Sequence, residues 1–375
     1  MARAIRIHEH GGPEVLRYES VDKPEPGPGQ VRVAVKAVAL NHLDLWVRRG
    51  GPAFRLEYPH RLGSDVSGVI DAVGPGVTGV EVGARTVVQP GVSCGVCAAC
   101  LHGDEVGGTA IVHDVFARLR KQGLGRGAVH AFPLINSMGF ENVSRFLNTD
   151  REDLNRCFPG NPRGSMGEQI ARRLYDTILK SAPSLVIDIH NDWVQSIPHI
   201  LLDPMQAYPN RKIARRTLEL ARAAGLLLVE DSDVFHPLRN TLAGAILDAG
   251  VPAYTIEAGG AYAVVETGVA AGTNAVLSTL QSMEMIDWFV PAGLPAGQEP
   301  LRYTNRPLCS TSGLIRFRVR PGEEIREGQL LAEVFSAFGS REESLRATAD
   351  GFVLGLEDHA RALPGREVIA IAERH

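Results

Sequence analysis

The feature that most constrains the fold of this chain is a short apolar run that ends in a histidine. Residues 184–189 read Ser-Leu-Val-Ile-Asp-Ile, and His190 follows directly. A helical pattern precedes this run over Gly167–Leu179, and the same order of helical pattern and apolar run recurs at 211–229 and 242–256. This alternation predicts an α/β fold with a mixed, mainly parallel sheet flanked by helices.

The two ends of the chain carry a different pattern. Residues 1 to about 100 contain apolar runs that alternate in period two, such as Gln30–Val38, separated by Gly/Pro turns. Residues 301–375 return to short strand patterns with glycine turns, and 291–300 is rich in Pro and Gly. We therefore expect a β-rich N-terminal domain, a central α/β domain, a linker and a small C-terminal β domain.

Composition and charge exclude several classes of function. The 375 residues include 43 acidic and 39 basic side chains, so no excess of positive charge is available to neutralise nucleic-acid phosphates. The most apolar stretch, 243–253, is too short for a membrane span and contains Asp248 and Pro252. The first ten residues carry charges and lack the apolar core of a signal peptide. We predict a cytoplasmic protein that binds neither nucleic acid nor membranes.

The cysteines suggest metal chemistry rather than disulfides. Three of the five, Cys94, Cys97 and Cys100, fall within seven residues. A tetrahedral structural zinc site needs four ligands, and three thiolates leave it one short. This run is either an incomplete structural metal site or three free thiols.

A second group of residues fits a catalytic metal better. His102, Glu105 and His190 are the nitrogen and oxygen ligands that a catalytic zinc prefers, with one position left open. His190 and Glu257 each follow a buried-strand pattern, and open α/β sheets place their ligands at such carboxyl ends. A single histidine or glutamate there is usually a structural, hydrogen-bonded residue. The combination of these four residues favours a catalytic metal site.

Four motifs in this region resemble those of the succinylglutamate desuccinylase and aspartoacylase family, within the zinc carboxypeptidase-like superfamily. The resemblance runs from His102 to the C-terminus, and its four motifs stand in the family's order. They read His102-Gly-Asp-Glu105-Val-Gly-Gly108, Asp153-Leu-Asn-Arg-Cys-Phe-Pro-Gly160, Asp188-Ile-His190 and Thr255-Ile-Glu-Ala-Gly-Gly260.

The resemblance implies a role for each matching residue. His102, Glu105 and His190 would bind one catalytic Zn2+, and Glu257 would be the general base that deprotonates the zinc-bound water. Asn155 and Arg156 match the family's clamp for a substrate carboxylate, because an arginine fork binds a carboxylate with two hydrogen bonds. Arg145 would be the counterpart of the arginine that polarises the scissile carbonyl.

The expected activity is that of a zinc-dependent amidohydrolase. Such an enzyme would remove an N-acyl group from a small, amino-acid-like substrate by cleaving an amide bond that is not a peptide bond. Aspartoacylase uses an additional arginine in the segment before the general base to bind its substrate. Residues 242–247, before Glu257, are apolar apart from glycine, so this arginine has no counterpart that we can place there. An acetyl or other uncharged acyl group therefore stays as plausible as a dicarboxylate.

Residues 1–101 resemble a different family, the medium-chain zinc-binding alcohol dehydrogenases and quinone oxidoreductases, in part of their GroES-like domain. The motifs are Gly11-Gly-Pro-Glu-Val-Leu16, Pro26-Gly-Pro-Gly29, Ala39-Leu-Asn-His-Leu-Asp44, Gly63-Ser-Asp-Val-Ser-Gly68 and Val73-Gly-Pro-Gly-Val77. No GxGxxG fingerprint follows a strand, so no NAD(P) site is expected. Asn41 and Ser64-Asp65 replace that family's catalytic zinc ligands.

We interpret the chain as a fusion of a partial dehydrogenase module, 1–101, with a deacylase domain, 102–295, and a C-terminal β domain, 301–375. In the deacylase family a buried strand precedes the metal motif, and Arg85–Gln89 is the run expected to supply it here. Two alternatives to the hydrolase stay open: an oxidoreductase of the dehydrogenase type, and an inactive fusion pseudoenzyme.

Overall fold

The computed structural model describes residues 2–27, 30–39, 42–50, 56, 58–63, 65–75, 77, 81–88, 95–231, 240–290 and 299–374. Contacts divide the chain into two units, Met1–Val92 and Ser93–His375. The predicted Pro/Gly-rich linker lies almost wholly outside the described residues, as do Asn41, Ser64 and Cys94. Within the part of the chain that is described, no helix is long and apolar enough to cross a membrane.

The first unit is β-rich, as the period-two pattern predicted. Its elements are β1 (Ala2–Ile7), β2 (Arg17–Val21), β3 (Val31–Ala39), α1 (His42–Arg49), β4 (His60–Arg61), β5 (Asp65–Val73) and β6 (Arg85–Val88). The strands form two three-stranded sheets, in the orders β2-β1-β4 and β3-β5-β6.

Strand β6 corrects one expectation. The run at 85–89 was expected to precede the metal motif in the deacylase domain, but β6 pairs antiparallel with β5, inside the first unit. The strand in question is formed instead by the cysteine-containing segment Gly95–Ala99. A β-branched run such as Thr86-Val87-Val88 has high strand propensity in either place, so propensity alone could not choose its partner.

The second unit alternates helices and strands before ending in a series of strands. Its helices are α2 (Gly107–Gln122), α3 (Ser137–Asn142), α4 (Met166–Lys180), α5 (Arg211–Ala223), α6 (Leu242–Asp248) and α7 (Glu266–Ser282). Its first seven strands are β7 (Gly95–Ala99), β8 (His130–Phe132), β9 (Val186–His190), β10 (Gln195–Ser196), β11 (His199–Leu202), β12 (Leu227–Glu230) and β13 (Ala253–Glu257). The remaining strands are β14 (Leu301–Thr304), β15 (Gly313–Phe317), β16 (Glu324–Ile325), β17 (Leu330–Phe335), β18 (Arg341–Arg346), β19 (Gly351–Leu356), β20 (Arg361–Ala362) and β21 (Ile369–Glu373).

One large mixed sheet organises this unit, in the order β10-β19-β21-β14-β12-β11-β13-β9-β7-β8. Strands β8, β7, β9 and β13 are parallel neighbours, and β11 enters antiparallel to β13. The predicted mainly parallel α/β core is therefore confirmed. The C-terminal segment contributes four strands, β14, β16, β19 and β21, to this sheet, with β16 paired to β19 at its side. It also forms a separate four-stranded sheet, β18-β17-β15-β20.

The two faces of the central strands have different roles. Alternate side chains such as Ile187, Ile189 and Ile256 pack with α2, α5 and α7 in a large apolar cluster. Each fully buried aliphatic side chain contributes roughly 1.5–3 kcal/mol. On the opposite face, Val186 and Ala253 pack against α4 and α6. That second face ends in polar residues.

Helix α7 begins and ends earlier than the pattern at 274–289 indicated. It spans Glu266–Ser282, and Glu284 just beyond its end has a φ of 55°. Apolar side chains continue past the helix at Met285, Ile286 and Phe289, where they cover the core without helical backbone. Apolar periodicity therefore extended the predicted helix beyond its true end.

Candidate active site

His190 and Glu257 lie side by side at the carboxyl ends of two neighbouring parallel strands. They are direct register partners in the β9–β13 ladder, so their side chains share one face of the sheet. His190 is buried and Glu257 is half-buried. The expectation that two chain-distant polar residues meet at a strand-end edge agrees with this register.

His102 and Glu105 reach the same place from the turn between β7 and α2. Both side chains are buried. The turn passes so close to α3 that a Cβ on Gly103 would lie 1.9 Å from the carbonyl carbon of Gly139. Only glycine fits there, which explains the second position of the His-Gly-Asp-Glu motif.

The carboxylate of Glu105 bridges the two histidines. Its Oε1 lies 2.6 Å from Nδ1 of His102, and its Oε2 lies 2.7 Å from Nδ1 of His190. Among the described residues these three offer ligand atoms within 4.8 Å of one another. Two imidazoles and a carboxylate form the donor set that suits a catalytic zinc, so the side chains fit such an ion.

Each histidine has a second carboxylate at its other ring nitrogen. Nε2 of His102 lies 2.9 Å from Oδ1 of Asp153, and Nε2 of His190 lies 3.0 Å from Oδ2 of Asp188. Carboxylates in this position orient metal-binding imidazoles and increase their basicity. Both aspartates stand in the recognised motifs, yet the sequence alone assigned them no role.

The charges of this cluster set its protonation. Burial would raise the pKa of Glu105, but His102 and His190 bring it well below its usual range. Burial would lower the pKa of His190, but Asp188 and Glu105 raise it well above its ordinary value. The cluster therefore holds Glu105 as a carboxylate, and His190 would release its extra proton on binding a metal ion.

Glu257 is perturbed in the opposite direction. Burial raises its pKa to about 8; nearby His190 opposes this shift, and the carboxylates of Asp192, Glu105 and Asp188 add to it. A raised pKa near neutrality suits a group that must first take and then release a proton.

The three predicted substrate-handling residues lie around this cluster in different settings. Arg145 donates to Asp153, and one of its terminal nitrogens lies 3.5 Å from Glu105 Oε1. Asn155 is buried: its Oδ1 accepts from the Leu242 N–H, and its Nδ2 lies 3.1 Å from His190 Nε2. Arg156 is exposed and donates to the carbonyl of Asn155. Arg156 thus has its guanidinium at the surface, while the Asn155 amide is bonded within the protein.

Asn191 is a residue that the motifs did not single out. Its backbone N–H donates to Glu105 Oε2, at 3.2 Å. Its side-chain oxygen accepts from the N–H of Gly108 in the first turn of α2, and its Nδ2 donates to the Gly259 carbonyl. It therefore ties the metal-site carboxylate to α2 and to the loop after β13. The available signal was its position directly after a predicted strand-end ligand.

The cysteine cluster can be described only in part. Cys100 is buried with its Sγ 3.2 Å from the His102 carbonyl, and burial raises its thiol pKa to about 12. The Cys97 backbone lies in β7, paired with Ala131 and Ile187. Cys94 and the Cys97 side chain lie outside the described residues. The incomplete structural metal site stays a prediction.

Comparison with known families agrees with the geometry. The model of the succinylglutamate desuccinylase/aspartoacylase catalytic domain matches residues 93–283, about half of the chain. The chain belongs to this family. Its matched region begins at the same residue as the second structural unit.

The N-terminal resemblance is also confirmed. The model of the alcohol dehydrogenase GroES-like domain matches residues 27–132, overlapping the catalytic-domain match at 93–132. A quinone oxidoreductase from Pseudomonas aeruginosa is 44% identical over 92 residues, which are 24% of this chain and 28% of that protein. The chain thus spans less than a third of the length of this relative.

Solved structures share the fold of the larger unit. A succinylglutamate desuccinylase/aspartoacylase from Rhodobacter sphaeroides superimposes with a TM-score of 0.61 at 22% identity, covering 75% of this chain and 86% of that one. The product-bound ectoine utilization protein EutE (DoeB) from Ruegeria pomeroyi gives 0.61 at 19% identity, covering 82% and 95%.

Proposed function

We propose that this protein is a zinc-dependent amidohydrolase that removes the N-acyl group of a small N-acylated, amino-acid-like substrate. The observation that carries the proposal is the meeting of His102, Glu105 and His190 beside Glu257, at the ends of adjacent parallel strands. Membership of the desuccinylase/aspartoacylase family supports the same chemistry.

His102, Glu105 and His190 would hold the zinc, oriented by Asp153 and Asp188 on the far ring nitrogens. When bound, zinc polarises the amide carbonyl and lowers the pKa of water to about 7. A divalent cation also favours the charged form of a neighbouring carboxylate, so Glu257 would be a stronger acid there than its pKa of about 8 indicates.

Glu257 would move the proton. Its carboxylate takes one proton from the attacking water as the new carbon–oxygen bond forms. The same proton then passes to the amide nitrogen as the carbon–nitrogen bond breaks, which yields a carboxylic acid and an amine. The acid loses its remaining proton to the amine or to solvent and becomes a carboxylate. Glu257 alone can serve both steps, because the attacking oxygen and the leaving nitrogen are bonded to the same carbonyl carbon.

The arginines would bind the substrate. Arg156, exposed beside the cluster, can present its guanidinium fork to a substrate carboxylate. Arg145, paired with Asp153 and near Glu105, would stabilise the negative charge that develops on the carbonyl oxygen. Asn155 would position His190 while its neighbour Arg156 contacts the substrate.

The test is amine release from a panel of N-acetyl, N-succinyl and other N-acyl amino acids, with zinc content measured on the same sample. Glu257→Gln is expected to bind one zinc per chain and lose at least about 100-fold in turnover. Glu266→Gln, an exposed carboxylate at the start of α7, is the matched control and should retain full activity.

Two results would contradict the proposal. Micromolar binding of NADPH without any amide hydrolysis would favour the oxidoreductase alternative. A stoichiometric zinc ion with no turnover across the panel would favour an inactive fusion protein.

A further inference from the structure

Glu257 lies between two histidines, one on each neighbouring strand. Strand β13 pairs with β9 on one side and with β11 on the other, and the register partners of Glu257 are His190 and His199. Register partners share a face of the sheet, with Cβ atoms about 4.5–5.5 Å apart. His190 belongs to the metal cluster. His199 is a second imidazole beside Glu257 that no motif singled out.

The protonation state of His199 follows from its surroundings. Its side chain is only 1% exposed, and its Nδ1 lies 3.0 Å from the carbonyl oxygen of Ile197. A carbonyl only accepts, so Nδ1 must carry the hydrogen. Burial lowers the pKa of His199 to about 4, so the ring is neutral near pH 7 and its Nε2 is a bare acceptor.

That acceptor has no partner in the described part of the second unit. The imidazole makes a single side-chain hydrogen bond there, through Nδ1. Among the residues that the structure describes, Nε2 of His199 is therefore an acceptor without a hydrogen-bond partner in an almost fully enclosed ring.

The neighbours of His199 show what kind of group can satisfy Nε2. On the β12 side its register partner is Leu227, which has no side-chain donor. On the β13 side is Glu257, the group that would deliver a proton to the leaving nitrogen. A donor that approaches from the Glu257 side completes the pairing, and a secondary amide carries such a donor on its nitrogen.

We propose that Nε2 of His199 accepts a hydrogen bond from the N–H of the scissile amide and so turns the nitrogen lone pair toward Glu257. The inference rests on the proposed amidohydrolase function and deepens it, because it makes the site selective for secondary amides. No proton is transferred to His199. Glu257 protonates the nitrogen, and the amine leaves while its original hydrogen still points at His199.

The kinetic test pairs an N-acyl amino acid with the matching ester, in which oxygen replaces the scissile N–H. His199→Phe keeps the ring volume without the acceptor, and it should lower kcat/KM about tenfold for the amide and less than about twofold for the ester. His199→Gln, whose amide oxygen can replace Nε2, should recover most of the loss. His199→Asn mimics only Nδ1 and should behave like the phenylalanine variant.

A binding test separates this inference from the function itself. In the Glu257→Gln background with 15N-labelled histidine, the Nε2 resonance of His199 should report an unprotonated nitrogen that shifts on adding the amide and not the ester. A protonated Nε2, or equal shifts with both ligands, would overturn the proposal even if no substrate is turned over. Equal kinetic losses on amide and ester would also overturn it.

Discussion

The two units of this chain bury their apolar side chains to very different extents. In the first, strand residues Tyr18, Val35 and Val38 are 66%, 54% and 67% exposed. In the second, every residue of β9 is buried. The comparison shows that sequence similarity to an enzyme family can accompany a small β unit with exposed apolar side chains, whereas the candidate site lies where helices cover both faces of a continuous sheet.

The largest expected effect concerns the boundary between the two units. A chain that starts at Ser93 keeps β7, whose backbone pairs with both β8 and β9. A chain that starts at His102 loses that internal strand and should not fold, because the ladder on one edge of β9 is left unpaired. Circular dichroism and soluble yield measure the difference. The Ser93 chain should keep zinc binding and amide hydrolysis within about threefold; its collapse would show that the units are not separable.

A smaller effect, on the order of 3 kcal/mol, is expected in the pH dependence of stability. His199 has a folded pKa of about 4 and an ordinary value of 6.5, so the unfolded chain binds more protons between these pH values. This difference in proton binding leaves the free energy of unfolding unchanged above pH 6.5. It lowers the free energy of unfolding progressively as the pH falls from 6.5 toward 4. Urea unfolding of His199→Phe should show a shallower loss over this window than the parent. Identical slopes would mean that the buried histidine is not neutral.

The next effect concerns zinc affinity and involves Asp153, the carboxylate at Nε2 of His102. Asp153→Asn should weaken zinc binding by about 10- to 100-fold without unfolding the protein, because the imidazole loses its charged anchor. Competition with a chelator measures the affinity. The matched control is Asp71→Asn in the first unit, where the carboxylate bonds Arg32 and Lys23, and it should leave zinc affinity unchanged.

The smallest effect is expected at Arg156, the exposed arginine beside the candidate site. Arg156→Lys keeps the charge but loses the planar fork, so KM for a carboxylate-bearing substrate should rise about tenfold with kcat nearly constant. Arg163→Lys, at another exposed arginine, is the control. An unchanged KM would place the substrate carboxylate elsewhere.

Much of the fold and of the candidate site follows from local patterns. The helical pattern at Gly167–Leu179 corresponds to α4, and the apolar runs before His190 and Glu257 correspond to β9 and β13. These elements are long or strongly apolar, and each is bounded by a polar residue. Their placement therefore needed only periodicity and the rule that parallel strands end at one edge.

The remaining features depend on pairings between distant segments. Periodicity could not show that Gly95–Ala99 forms β7, since three of its five residues are glycine or alanine, which have weak strand propensity. Nor could it show that β11 runs antiparallel to β13 and brings His199 beside Glu257. The role of Asn191 could not be predicted for the same reason, because its hydrogen-bond partners are distant from it in the chain.

The pairing of β7 on both sides also limits which insertions and deletions the cysteine segment can tolerate. Residues 95–99 lie within both family matches, yet here their backbone is held between β8 and β9. Inserting or deleting one residue would send each following side chain to the opposite face of the sheet. The register of β7 therefore fixes the number of residues between Cys97 and the metal-site histidine His102, whichever side chain stands at position 97.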